Sequence, residues 1–402
     1  MTADPKAPGA DAVYLDIEEI DNDPLHYQSV YARIKVLTEK GKELATVDLP
    51  YVSGDFKITD IEGRTIHSDG TIIPLVGKPE DLMTSKAGGT EIGNKVFTLP
   101  SVEVGSILEY RYQIRYDDNH FSSPSWAIQK KYFVHKAHYE FTPFEAFKAD
   151  NNSQDASSSY LTDSKGHVIN SLIWWLHLPQ GVTLKTDVSG RYSVDVTDVP
   201  PIPDEDWMPP IESVLYRVLF YYESARTPTQ FWIDSAKDWS KDVDHFADPN
   251  KPIQQAVSGL VAPGDSDLVK TQKLYNAVEA LDNTDYSRVK TASEMKALKL
   301  KPAKRAEDTW KQKSGSSDDI ALLYLTMLHA AGVKAYAAKV ADRAWRIFDP
   351  SYMNFDQLDD TLVVADIGGK DIYLDPGEKM CPFGTLNWRH SDTKACGKAP
   401  RA

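Results

Sequence analysis

The stretch SGSSDDIALLYLTMLHAAG, residues 314 to 332, opens with a small polar turn and runs directly into an apolar helical pattern. A helix start is a place where a nucleophile can be activated, because the first N–H groups have no intrahelical partner and the dipole favours negative charge. The same residues also suit plain capping. Ser316 or Ser317 can accept from those N–H groups, Asp318 and Asp319 lie at the positive end of the dipole, and Gly332 ends the helix. Capping alone accounts for the residue types, so the case for chemistry rests on what else the chain brings to the turn.

TLVVADIGGKDIYLDP, residues 361 to 376, reads as two strands around Gly368-Gly369, a good hairpin signal. Asp360 opens the first strand and Asp375 closes the second. With Ser317 at the helix start, three side chains can meet at one end of a sheet. Acyl transfer by such a set needs a base, and an aspartate of ordinary pKa, about 4, matches that task poorly near neutrality.

Of ten histidines only His329 and His390 fall in the last 150 residues. His329 lies up the same helix from Ser317, about 18 Å along its axis, and is out of reach. His390 lies in an irregular segment beyond Asp375 and serves only if that segment folds back over the site. Cys381, in the turn-like MCPFG, is the other residue that could rescue catalysis, although a lone cysteine is more often a small buried hydrophobe. The carboxylates of Asp318, Asp319, Asp359, Asp360, Asp375 and Glu378 could together hold a hard cation such as calcium, but no EF-hand spacing accompanies them and solvated charges or caps explain most of them. No metal and no cofactor is expected, and KAGGTEIG, 86 to 93, lacks the lysine and helix context of a phosphate loop.

Several elements must position these residues. Before residue 225 the chain carries strand signals: Leu108, Tyr110, Tyr112, Ile114 and Tyr116 alternate with polar neighbours, and YARIKVL, TIIPL, KYFVHKAHYEF and RVLFYY are similar runs separated by turn residues. DNNSQDASSSY, 150 to 160, reads as a polar loop. An antiparallel β-sandwich-like region follows from this pattern. VPPIPDEDWMPP, 199 to 210, reads as a linker or an extended crossing strand. Beyond it the period becomes helical. Trp232, Ala236, Trp239, Val243 and Phe246 form one stripe, and Leu274, Ala277, Val278 and Leu281 form a second. The expected organisation is α+β and multidomain: a β-rich region over 25–225, a helical connector over 226–262 and an α+β domain over 263–396.

The order of these features resembles the bacterial transglutaminase-like family, a papain-like fold. The family's Gly-x-Cys-x-Asp turn is similar to Gly315-Ser316-Ser317-Asp318-Asp319, its His-bearing strand to LDDTLVV with Asp360 in the His position, and its Leu-Asp-Pro to Leu374-Asp375-Pro376. LHAAGVKAYAAKV matches the family's helix, glycine and strand. Residues 25 to 225 resemble the domain of unknown function that commonly precedes it in bacterial envelope proteins, through TEKGKELATVDLPY, SDGTIIPL and LPSVEVGSILEYRY. The resemblance implies a Cys-His-Asp triad, which here reads Ser317-Asp360-Asp375. Two of its three roles are missing. The implied product is a non-catalytic relative that binds a polypeptide or envelope component in the old cleft. The alternatives are an acyl transferase or amide hydrolase using Ser317 or Cys381, and a structural module of an envelope assembly. An extracytoplasmic location is implied only by the resemblance. Relatives usually carry an export signal before the first domain and a further β domain after the last, so the sequence can be a fragment.

Composition excludes other classes. With 45 basic and 59 acidic residues the net charge is −14, which repels phosphate backbones and supplies no basic patch, so nucleic-acid binding is not expected. No apolar run approaches the length of a membrane span. Two cysteines, Cys381 and Cys396, are too few for a disulfide framework, although they could pair with each other. Most of the nine tryptophans are expected in cores or domain interfaces.

Overall fold

The computed structural model describes residues 3–52, 56–87, 90–116, 123–144, 171–223, 227–288 and 290–397. The loop expected at 150–160 lies outside the described residues. The chain forms two compact units, one of residues 1–208 and 215–224 and one of residues 209–214 and 225–402.

The first unit is built from β1 (Ala12–Asn22), β2 (Tyr27–Val36), β3 (Thr46–Val52), β4 (Phe56–Ile66), β5 (Ile72–Pro74), β6 (Glu80–Ala87) and β7 (Thr90–Thr98). It continues through β8 (Ile107–Tyr116), β9 (Ser125–Ala127), β10 (Val134–Thr142), β11 (Ser171–His177), β12 (Lys185–Thr186), β13 (Tyr192–Val199) and β14 (Arg217–Glu223). Eight of these make one sheet in the order β12-β13-β10-β1-β2-β8-β4-β5, and two smaller sheets have the orders β11-β14-β9 and β3-β7-β6. The alternating residues of β8 behave as the period-two pattern requires: Leu108 and Tyr110 turn to the core that Ile34 of β2 also enters. Trp126, Tyr139, Phe141 and Phe220 interlock the large sheet with β14 and β9, and Val47, Leu49, Ile58 and Phe97 do the same for β3 and β7. The expectation of a wholly antiparallel arrangement is corrected at one place. β1 pairs in parallel with β10, because the long excursion between them lets β10 return beside β1 in the same direction.

The second unit contains α1 (Pro228–Phe246), α2 (Lys251–Leu260), α3 (Asp267–Glu279), α4 (Ala292–Ala297), α5 (Ala306–Gln312) and α6 (Ser317–Ala330). Its strands are β15 (Asp282–Asn283), β16 (Ser314–Gly315), β17 (Ala335–Val340), β18 (Asp360–Ile367), β19 (Lys370–Leu374) and β20 (Ala395–Gly397). The four-stranded antiparallel sheet runs β19-β18-β17-β20, and β15 pairs in parallel with β16. α6 is the centre of the core. Ile320, Ala321, Leu323, Tyr324, Leu325, Met327 and Leu328 are buried, and they pack with Val257 of α2, Leu274 and Val278 of α3, Val363 of β18 and Leu374 of β19. A helix apolar on nearly all sides must be enclosed on all sides, and that enclosure fixes where its N-terminus points.

Local signals hold well here. Gly332 ends α6 at φ +77, and Gly368 and Gly369 turn the β18–β19 hairpin at φ +62 and +81, the positive values that a two-residue primed turn needs. Leu281, expected on the stripe of the second helix, lies beyond the end of α3 but still packs against the core. Among the described residues no helix is long and apolar enough to cross a membrane. Cys381 and Cys396 are both free thiols, so the pairing considered from sequence does not occur.

Candidate functional site

The start of α6 is held by a capping box. Ser316 Oγ accepts from Asp319 N at 3.1 Å and Asp319 Oδ2 accepts from Ser316 N at 3.0 Å. Ser316 is therefore the cap, and the neighbouring Ser317 is spared that task. The tightness of the turn requires Gly315, where a Cβ would lie 2.8 Å from both Asp319 Cβ and Thr309 Cγ2.

Ser317 faces a cleft of about 320 Å³ lined by Asp285, Asp342, Asp359, Asp360, Asp375 and Glu378 on the acidic side, with Arg389 and His390 as cations. Tyr286, Trp345, Thr361 and Gly377 complete the lining. Helix start and hairpin ends thus bring Ser317, Asp360 and Asp375 to one place. Cys381 is not among the lining residues. Its thiol is buried, Sγ sits 3.5 Å from Thr385 O, and burial pushes its pKa up, the wrong direction for a nucleophile. Calcium ligation by the full set of acids also does not arise. Asp318 pairs with Lys339 Nζ at 2.7 Å, and Asp319 is the N-terminal cap partner.

The main correction concerns His390, whose irregular segment does fold back. β20 joins the free edge of β17 with Ala395 opposite Val340, and Val340 is also opposite Asp360 of β18. The residues just before β20 are thereby delivered to the mouth of the hairpin. Asn387 caps a single 3-10 turn, Trp388–His390, and its own N–H donates to Asp375 Oδ2 at 3.2 Å. Within this turn the imidazole lies between two carboxylates, with Nδ1 2.7 Å from Asp375 Oδ2 and Nε2 3.0 Å from Asp360 Oδ2. Burial opposes charging the ring, but the hydrogen bonds to Asp360 and Asp375 and their negative charges prevail and raise its pKa to about 10. Burial likewise opposes ionising Asp360, and His390 outweighs it, leaving that carboxyl below its usual value. With its pKa raised in this way, the ring is in its charged form at neutral pH.

Ser317 is engaged elsewhere. Its Oγ accepts from Asn283 Nδ2 at 3.1 Å, and its backbone N–H donates to Asp285 Oδ2 at 2.8 Å. Asn283 Nδ2 also donates to Gly377 O at 2.8 Å, tying the segment after β19 to the helix start. Gly377 approaches so closely that a Cβ there would lie 2.7 Å from Ser317 O. Among the described residues no imidazole hydrogen-bonds the Ser317 hydroxyl. Asn283 and Asp285 are site residues that the sequence reading missed. They reach the site through the two-residue pairing of β15 with β16, Asn283 opposite Gly315, which is too short to leave any periodic signal.

Residues 23–203 match the family model of a domain of unknown function with a solved structure, DUF3857, which spans under half of the chain. The expected likeness of the N-terminal region to such a domain is met over that range. No curated protein sequence matches the chain. The chain shares its fold with a candidate protease from Parabacteroides distasonis, at a TM-score of 0.58 and 14% identity over 90% of this chain and 67% of that one. A candidate cysteine protease from Cytophaga hutchinsonii aligns over 82% of this chain and 79% of that one at 11% identity, with a TM-score of only 0.24.

Proposed function

We propose that the second unit is a transglutaminase-like, papain-like domain that has lost acyl transfer and binds a polypeptide in its cleft. One observation carries this reading: both ring nitrogens of His390, the imidazole in the cleft, face acidic side chains, Asp375 Oδ2 at 2.7 Å and Asp360 Oδ2 at 3.0 Å, which favour the protonated ring. An imidazolium has no lone pair with which to take a proton from Ser317. The first N–H of α6, which would have to stabilise an oxyanion, donates instead to Asp285. A carboxylate at that place also repels the negative charge that forms during attack on an amide.

The observation that favours the catalytic alternative is the same imidazole, since Asp375 orients it as the third member of a triad orients its base. For it to act, the ring must leave Asp360 and lose a proton that two carboxylates retain. The test is a direct assay for amide hydrolysis and amine transfer on peptide amides, with wild type and Ser317→Ala side by side. The expected result is no rate above background for either. A wild-type rate that disappears in a folded Ser317→Ala variant would overturn the reading.

A further inference from the structure

Five of the six carboxylates in the cleft have partners. Asp285 accepts from Ser317 N, Asp342 lies 3.4 Å from Arg389 Nη1, Asp359 lies 3.7 Å from Arg346 Nη2, and Asp360 and Asp375 hold His390. Glu378 is different. It is only 8% exposed and lines the cleft, yet among the described residues its carboxylate makes no hydrogen bond and no ion pair. Its oxygens open into the cleft instead of being shut away from water, and the His390 ring within 4.8 Å already serves two other carboxylates, so a cationic ligand entering the cleft would find Glu378 free to receive it. The rim supports the same chemistry. Trp345 and Tyr286 line the cleft with 65% and 45% of their surface exposed, and aromatic faces attract cations while covering the apolar stem that carries them.

We infer that Glu378 anchors a lysine or arginine side chain of the bound polypeptide, with Trp345 and Tyr286 flanking its stem. This rests on the peptide-binding reading above and adds the identity of the anchoring side chain. A divalent metal is the competing occupant, because Asp375, Glu378 and His390 each offer one ligand atom within 4.8 Å of the others. Both ring nitrogens of His390 are already committed to carboxylates, so a metal would have to displace a proton and break that clamp.

The test uses the full chain and the fluorescence of its tryptophans, with three probes: the capped pentapeptide Ala-Ala-Lys-Ala-Ala, its norleucine counterpart, and n-butylammonium as the free cation. The lysine peptide should bind at least about tenfold more tightly than the norleucine peptide, and Glu378→Gln should remove that preference while Glu279→Gln, exposed at the end of α3 and outside the cleft, leaves it intact. Butylammonium should compete weakly, since it lacks the backbone. Equal binding of the two peptides overturns the cationic anchor while leaving a peptide cleft in place. Binding of butylammonium as tight as that of the lysine peptide would show a small-cation site and overturn the side-chain assignment. Loss of lysine-peptide binding on adding zinc or calcium, with the metal's affinity falling in Glu378→Gln, also overturns it, in favour of a metal site. Failure of every probe to bind overturns it as well. Release of amine from the lysine peptide would instead count against the non-catalytic reading.

Discussion

His390 Nδ1 and Asp375 Oδ2 stand 2.7 Å apart across a loop of fifteen residues, and Asp360 closes the other side of the same ring at 3.0 Å. The imidazole is thus held in a clamp between two acidic side chains, and most of the testable behaviour of the site follows from that.

The His390 ring should remain protonated through neutral pH, with a midpoint about 10 by NMR of the ring nitrogens. Its folded pKa lies above the ordinary 6.5, so its contribution to stability is complete below about 6.5 and is lost as pH rises through about 10. The lowered pKa of Asp360 has the opposite sign, with stability present above its ordinary 3.8 and lost as pH falls through the lowered value. Urea midpoints across this range should show the difference between wild type and His390→Gln shrinking from about pH 6.5 to about pH 10 and levelling off above it. A ring that titrates near 6.5 would contradict the clamp.

Removing the ring leaves Asp375, only 1% exposed, as a buried charge without its ion partner. His390→Ala should destabilise the second unit by about 3–5 kcal/mol, read by urea unfolding. Asp360→Asn should cost less, because that side chain is a third exposed and the ring keeps Asp375.

Ser316 and Ser317 should separate cleanly. Ser316→Ala loses the hydrogen bond to Asp319 N and should cost about 1 kcal/mol. Ser317→Ala leaves Asn283 Nδ2 bonded to Gly377 O and should cost less than about 1 kcal/mol. Thermal unfolding of the two variants gives the comparison directly.

With Cys381 and Cys396 replaced, Ser317→Cys should react slowly with a thiol-directed electrophile at pH 7, because Asp285 occupies the helix N–H and disfavours a second negative charge. Adding Asp285→Asn should raise the rate about tenfold for each unit by which the thiol pKa falls. Equal rates would mean that Asp285 does not set the potential at residue 317.

Gly377→Ala should cost about 1–3 kcal/mol, since the new Cβ would lie 2.7 Å from Ser317 O and the segment after β19 must move. Calorimetry of the variant checks this.

What the sequence determined by itself are the features written over short distances. The α6 start and the two-glycine hairpin follow from capping and turn chemistry, which act over a few residues, and the meeting of Ser317 with Asp360 and Asp375 is legible only through the family resemblance. The tertiary structure alone decided the rest. The parallel β1–β10 pair joins strands more than a hundred residues apart, and local periodicity carries no information on which strand lies beside which. His390 enters the cleft only because β20 adds to the edge of β17, and Asp285 only because β15 meets β16, pairings of two or three residues each. A side chain's charge state has the same origin: whether an imidazole is a base or a fixed cation depends on the carboxylates that packing places beside it, and those come from distant parts of the chain.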